Sequence, residues 1–110
     1  MGGTRKEKFS AELARQASLF FLDRAGLPGA VLCVTRVEVS DDLQNVKIFF
    51  SVFPPAKERR VLKEVYAAKK DFRHYLAKRI NTKFVPKIML LSDTSAQKKQ
   101  RVEELLEKLD

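Results

Sequence analysis

Two adjacent carboxylates, Asp41 and Asp42, are residues of this sequence whose types and spacing could do chemistry. A carboxylate pair can hold a divalent metal ion or share general acid and base work. Either role needs further groups that converge on the pair, and the chain contains a single histidine, His74. The pair lies within "SDDLQN", whose Ser and Asp side chains bond to nearby backbone and favour turns. We therefore predict a hairpin loop without a metal ion.

The sequence lacks the motifs that other kinds of catalysis require. The sequence contains no P-loop, no HExxH, no GxGxxG and no CxxC motif. His74 is of the one type whose charge changes near neutral pH, but it stands among lysines and arginines, so we expect it to face solvent or RNA. Cys33, the single cysteine, lies in an apolar run and is predicted to be a buried thiol in a reducing compartment. We expect no catalytic residue, no metal and no cofactor.

Positive charge is the strongest functional signal in the composition. The formal net charge is +8, which indicates a polyanionic partner, with nucleic acid ahead of an anionic membrane. The segment "KKDFRHYLAKRINTK" holds many basic residues and one Asp, and a helix with Phe72, Leu76 and Ile80 inward would turn most of its basic side chains outward. The alternative to a phosphate-binding surface is a helix face whose charged side chains contact only solvent. The candidate RNA-binding residues here are Lys69, Lys70, Arg73, His74, Lys78, Arg79 and Lys83.

Four helices and three strands are predicted to position these residues. Thr4 and Glu7 have capping-box spacing, and a helix over about 5–25 follows and ends at "AGLPG". Helical spacing later favours a stripe of Leu62, Val65 and Tyr66, then a kink near Ala68–Lys70. Asn81 can cap the helix that follows. A last amphipathic helix is expected over about 95–109, with Val102, Leu105, Leu106 and Leu109 on its core face.

The strands are predicted over residues 31–39 and 46–53, with a third in "KFVPKIMLLS". The first two pair as an antiparallel hairpin because their linker is short, and the third is reached by a parallel crossover. Val37 and Val39 are expected to share a face with Cys33. An open sheet face would then carry Arg36, Lys47, Phe49 and Phe53. Arg36 and Lys47 complete the set of candidate RNA-binding residues.

The element order predicts the fold class. A single domain over residues 1–110 with the order α-β-β-α-α-β-α indicates an α+β, KH-like fold of type II. We expect a three-stranded mixed sheet, helices on one face, and a C-terminal helix. A KH module clamps RNA with a GXXG loop, but every glycine of this chain precedes the hairpin. RNA binding must therefore rely on side-chain charge and shape.

The sequence resembles one family along nearly its whole length. The stretch "VTRVEVSDDLQNVKIFFSV" is similar to the hairpin signature of the bacterial ribosome-binding factor A family, and "FRHYLAKRINTKFVPKIML" and "RVEELLEKL" match further. The resemblance implies a KH-like, non-catalytic factor that binds the small (30S) ribosomal subunit during late rRNA processing and maturation and supports growth in the cold. It also implies structural roles for Ser40, Asp42 and Leu43 in the hairpin loop.

Two departures from the family pattern concern the helix pair and the chain end. Relatives kink at Ala-x-Gly, whereas this chain reads "AKK" at residues 68–70, so we expect a steeper conformational cost there and two added cations. Many relatives carry a polar C-terminal tail, and this sequence stops with its last predicted helix.

Three functions from different classes compete at this point. The leading hypothesis is a small-subunit assembly factor that binds rRNA. The second hypothesis is a general basic RNA-binding or RNA-chaperone domain. The third is a small nuclease, and the absence of a histidine and carboxylate constellation from the sequence argues against it. We expect a cytoplasmic monomer with no membrane association, because no apolar run approaches the ~20 residues of a span and no signal peptide is visible.

Overall fold

The computed structural model describes residues 4–24, 29–80 and 84–93. In chain order these form helix α1, strands β1 and β2, a short 3-10 turn, helices α2 and α3, and strand β3. Their bounds are α1 Arg5–Arg24, β1 Val31–Val39, β2 Asn45–Phe53, the turn Pro55–Lys57, α2 Glu58–Ala67, α3 Lys69–Arg79 and β3 Lys87–Ser92. The predicted α+β, KH-like order is confirmed over this range. The predicted helix over about 95–109 and the cap at Asn81 lie outside the described residues.

The first helix begins where the sequence predicted. The Thr4 hydroxyl accepts a hydrogen bond from the Glu7 amide, and the Glu7 carboxylate accepts one from the Thr4 amide, each at 3.1 Å. This reciprocal pair satisfies two of the backbone donors that a helix start leaves without partners. It fixes the end of α1 that lies beside the β1–β2 loop, where Lys6 contacts Asp41.

The sheet is mixed and has β2 at its centre. Strand β1 pairs antiparallel to β2, and β3 pairs parallel to β2, as the crossover through α2 and α3 requires. Alternate β2 side chains are buried beneath the helices, and partners from every helix join them. The fully buried large side chains of this core include Leu13, Phe21, Val46, Ile48, Phe50, Val61, Val65, Phe72, Leu76 and Ile88. The sequence patterns predict eight core residues, of which Phe9 is partly buried and the other seven are buried, namely Leu13, Val46, Ile48, Phe50, Phe72, Leu76 and Ile88.

A β-bulge at Thr35 overturns the predicted facing of β1. Val34 lies opposite Phe50, but Arg36 lies opposite Phe49, so Thr35 is the extra residue. Because a bulge interrupts the two-residue alternation, Cys33 lies on the other sheet face from Val37. The prediction that these two share a face is wrong. Cys33 is only half-buried, so the predicted core thiol is wrong as well.

The bulge is held by hydrogen bonds that an alternating pattern cannot reveal. The Thr35 hydroxyl lies 2.5 Å from Oδ2 of Asp93 and 3.2 Å from the Phe49 carbonyl oxygen. Asp93 is buried, and its amide donates to the Phe50 carbonyl at 2.8 Å. The chain just beyond β3 therefore reaches across β2 to β1 and ties the three strands together.

The junction between α2 and α3 is a single residue. Ala68 has φ −89° and ψ 2°, and its amide contacts the carbonyls of Glu64 and Val65. The predicted kink near Ala68–Lys70 is confirmed and is made by Ala68, whose φ and ψ lie in the sparsely allowed bridge region. The expected conformational cost at this junction stays a prediction. Lys70 is already inside α3.

Helix α2 buries Leu62 and Val65 of the predicted stripe, together with Val61 in place of Tyr66. Val61, Leu62 and Val65 are buried, whereas Tyr66 is 49% exposed. The pairs Val61–Val65 and Leu62–Tyr66 are both spaced by four, so spacing alone permits either stripe. In the packing of α2 on β2, Val61 is buried with both Leu62 and Val65 and Tyr66 is left outside, so only the prediction that Tyr66 belongs to the core is wrong.

Candidate nucleic-acid interface

Helix α3 separates an apolar side from a basic side. Phe72 and Leu76 are fully buried and Ile80 nearly so, as predicted. Tyr75 is half-buried against this core, and the other positions project away from it, with their cations largely in solvent. Lys70, Arg73, His74, Lys78 and Arg79 are exposed, and Lys69 is half-buried. The predicted basic residues of this helix therefore lie on its surface, although they do not form one continuous stripe.

The first basic surface is a groove beside the α2–α3 junction, which we call the interhelical groove. It has a volume of about 520 Å³. Four of its residues carry positive or titratable groups and the others supply an aromatic ring and small apolar side chains. The lining residues are Tyr66, Ala67, Lys69, Lys70, Arg73, His74, Ala77 and Val85. No acidic side chain is present among these described lining residues, so nothing within the groove offsets its positive charge.

The second basic surface lies between α1 and α3. Its lining residues are Phe20, Asp71, His74, Tyr75, Lys78 and Arg79. Asp71 reduces the positive charge here, and the Arg79 guanidinium lies 3.8 Å from the centre of the Tyr75 ring. That cation–π contact uses Arg79 partly for packing. His74 borders both surfaces, because it lies on the ridge of α3 between them.

Arg36 and Lys47 belong to neither surface. They project from the sheet face opposite the core, on which Arg36 lies 4.0 Å from the Phe49 ring centre and 3.2 Å from Glu38. Lys47 is exposed and lies opposite Glu38 in the strand pair. The sheet therefore separates these two cations from the basic side of α3. Lys83, the last candidate, lies outside the described residues.

The carboxylate pair of the loop points in two directions. Oδ1 of Asp41 contacts the Lys6 ammonium at 2.9 Å. Oδ1 of Asp42 accepts hydrogen bonds from the Ser40 hydroxyl at 2.6 Å and the Gln44 amide at 3.0 Å. These bonds, with that of Ser40 foremost, lower the pKa of Asp42 below its ordinary value. Asp42 is therefore bonded within the loop, as in a turn, whereas Asp41 pairs with a cation of α1, and the two carboxylates do not converge on one site.

Across residues 4–24, 29–80 and 84–93, no group of three or more His, Cys, Asp or Glu side chains converges to hold a metal ion. Over the same ranges, no helix combines the length and the apolar character needed to cross a bilayer.

Tyr66 is the groove residue that sequence reasoning missed. The signal available was the neighbouring Val61, which offers Val65 a partner four residues earlier and frees Tyr66 from the core. Nothing in the pattern reveals that Tyr66 then borders the basic residues of α3. That proximity follows from the turn at Ala68.

Comparison of the sequence with known proteins identifies the family to which this chain belongs. A profile described as ribosome-binding factor A matches residues 5–106. The chain belongs to the ribosome-binding factor A family. A ribosome-binding factor A of Picosynechococcus sp. is 31% identical over 112 residues, which cover 96% of this chain and 84% of that protein. One of Caldanaerobacter subterraneus is 28% identical over 109 residues, which cover 96% and 89%.

A solved structure shares the fold. The crystal structure of ribosome-binding factor A from Thermus thermophilus superposes with a TM-score of 0.66 at 22% identity and covers 79% of this chain and 93% of that one. Membership of the ribosome-binding factor A family agrees with the predicted resemblance and supports a ribosome-related role for the chain.

Proposed function

We propose that this protein binds the small (30S) ribosomal subunit and its rRNA during late maturation, as a non-catalytic assembly factor. Family membership supplies the ribosome as the partner class. The observation that carries the rRNA contact is the interhelical groove, which gathers Lys69, Lys70 and Arg73 beside His74 without an acidic lining residue.

The chemistry of the groove suits an RNA backbone. Phosphates provide most of the affinity of nucleic-acid complexes, and cations that contact them position the partner without selecting its sequence. Specificity for the immature subunit would then come from the shape of the rRNA and not from base readout. We further propose that the protein acts in the cytoplasm as a monomer of one domain and contributes to adaptation to cold.

The experiment compares two triple variants for binding to immature small subunits over a range of salt concentrations. The test variant changes Lys69, Lys70 and Arg73 to Ala, the three cations that line the interhelical groove. Lys70 and Arg73 are exposed, and Lys69 is half-buried. Arg79 is left intact because it packs on Tyr75. Each phosphate contact contributes roughly −0.7 to −0.9 to the slope of log affinity against log salt, so the test variant should bind weakly and its slope should flatten by about two units.

The matched control changes Arg59, Arg60 and Lys63 to Ala. These cations are exposed on α2 and do not line the interhelical groove. The control removes the same net charge, and we expect it to lower affinity much less. Equal losses in the two variants would show that only net charge matters, and an unchanged slope in the test variant would direct attention to Arg36 and Lys47 on the open sheet face.

The alternative, a general RNA-binding or RNA-chaperone domain, predicts a different distribution of the protein among free subunits, translating ribosomes and messenger RNA. Cosedimentation separates the two functions, since an assembly factor should travel with free small subunits and be absent from translating ribosomes. Association with messenger RNA or with both pools would favour the general domain.

A further inference from the structure

We propose that the interhelical groove holds an unpaired nucleotide of a single-stranded RNA segment, with the base against the Tyr66 ring and the flanking phosphates on Lys70 and Arg73. The inference deepens the proposed function and depends on it for the class of ligand. It adds that the groove binds RNA that is locally unpaired.

Tyr66 is the first observation that supports this. Its side chain is 49% exposed, and within the described part of the chain no aromatic ring, hydrogen-bond partner or guanidinium contacts it. The other tyrosine behaves differently, because Tyr75 donates to Gln16 at 2.8 Å and packs 5.0 Å from Phe20 between ring centres. A half-exposed ring with no internal partner is available to stack on a ligand.

The shape of the groove around Tyr66 is the second observation. Ala67 and Ala77 present methyl groups only, and half-buried Val85 adds an apolar side. Small side chains beside an aromatic ring leave room for a flat group. The volume of about 520 Å³ lies within the range of roughly 300–1,000 Å³ that small-ligand sites occupy.

The placement of charge is the third observation. Lys70 and Arg73 are three residues apart on α3, so their side chains are neighbours on one side of the helix and both border the groove. An apolar slot beside an aromatic ring, bordered by cations, matches the two parts of a nucleotide. Proteins that bind single strands combine base stacking on aromatic side chains with a positive groove that follows the backbone.

An unpaired nucleotide fits these features better than two other polyanions. A duplex is recognised through its backbone and shape and keeps its bases stacked inside, so it would leave the Tyr66 ring without a partner. An acidic peptide could satisfy the cations but has no flat apolar group to place against that ring. The geometry therefore favours single-stranded RNA.

The test measures binding of a single-stranded RNA of about ten nucleotides and of the corresponding duplex. Stacking is worth about 1–3 kcal/mol per base, so Tyr66→Leu should weaken single-strand binding about fivefold or more, whereas Tyr66→Phe, which keeps the ring, should bind like the wild type. Duplex binding and the salt slope should stay unchanged, because no phosphate contact is lost. Equal loss of duplex and single-strand affinity, or no loss for Tyr66→Leu, would overturn the proposal.

Photocrosslinking provides a readout that a change in folding would not imitate. A single strand containing bromouridine should crosslink to Tyr66 of the wild-type protein, and mass spectrometry locates the modified peptide. Crosslinks found at Tyr75 or on the open sheet face, with none at Tyr66, would overturn the proposal. So would displacement of the strand by an acidic peptide as effectively as by unlabelled single-stranded RNA.

Binding to immature small subunits, measured in parallel, keeps the two proposals distinct. If wild-type protein binds subunits but Tyr66→Leu changes neither assay, the nucleotide pocket is wrong and the proposed function stands. If subunits are not bound while the short RNA shows the dependence on Tyr66, the pocket stands and the proposed function is wrong.

Discussion

At the scale of single residues, the hairpin loop shows how a suggestive pair of carboxylates becomes structural. Ser40 and Asp42 form a local network in which the Ser40 hydroxyl donates to Asp42 and accepts from the Asn45 amide at 3.0 Å. Leu43 has φ +61°, a left-handed conformation that costs a non-glycine residue energy. The hydrogen bonds of Ser40 and Asp42 hold the loop in that conformation, which is why these types occur here.

Asp42→Ala should lower stability at neutral pH, and the loss should shrink in acid. The pKa of Asp42 is lowered by folding, so its contribution is complete above the ordinary value of 3.8 and is lost as pH falls through the folded pKa. Melting temperatures of wild type and variant should therefore converge below about pH 4. Asp41→Ala is the control, since the Asp41 side chain is 98% exposed and should matter little. A gap that stays constant with pH would contradict this account of Asp42.

At the scale of elements, α1 is the support on which the basic helix rests. Phe20 lies 5.2 Å from Phe72 and Phe21 lies 4.9 Å from Phe72 between ring centres. A polar link runs beside the rings, in which Tyr75 donates to buried Gln16, whose amide donates to Glu12 at 2.8 Å. Aromatic packing and a satisfied polar chain together set the position of α3, and hence the direction of its exposed cations.

Two substitutions of the same type within α1 test which face of this helix packs on the core. Leu13 is fully buried and Leu22 is 73% exposed, so both changes to Ala alter helix propensity equally and differ in the packing lost. Leu13→Ala should reduce the free energy of unfolding by about 2–5 kcal/mol, and Leu22→Ala by under about 0.5 kcal/mol. Urea unfolding measures both, and similar losses would mean that α1 presents a different face to the core.

The α2–α3 junction permits a second comparison. Lys70 lies in the first turn of α3. Lys70→Gly should be less stable than Lys70→Ala by about 0.5–1 kcal/mol, because glycine loses more backbone freedom in a helix. Both variants remove the cation, so the difference between their melting curves isolates the backbone. A more stable glycine variant would mean that the junction requires a conformation other than the one observed.

At the scale of the whole molecule, one apolar core joins every described helix and strand. Buried residues from α1, α2, α3 and the three strands form a single cluster, and the Thr35–Asp93 contact ties the far strands to each other. The groove and the open sheet face lie on opposite sides of this unit. Binding surfaces on both sides would therefore rest on the same packed core.

Unfolding should accordingly be one cooperative transition. We expect the same midpoint from far-ultraviolet circular dichroism and from calorimetry, with calorimetric and van't Hoff enthalpies in agreement. The melting temperature should not depend on protein concentration, because a monomer has no association equilibrium to shift it. Two resolved transitions would contradict a single domain, and a melting temperature that rises with concentration would indicate an oligomer.

Over the described residues, the sequence by itself determined the elements and their order. Capping at Thr4, the alternation in β2 and the four-residue spacing of Phe72, Leu76 and Ile80 are local signals, because each depends on residues within a few positions along the chain. The same holds for the loop at Asp42, whose partners are two residues away. Local hydrogen bonds and periodic burial can therefore be predicted from the sequence without any knowledge of the fold.

Only the tertiary structure decided which side chains meet. The bulge at Thr35 depends on Asp93, which lies 58 residues later, and it moves Cys33 to the other sheet face. Tyr66 leaves the core because α2 packs through Val61, and the turn at Ala68 then brings it beside Arg73. These outcomes depend on how the elements pack on one another, and local periodicity permits more than one such packing without deciding between them.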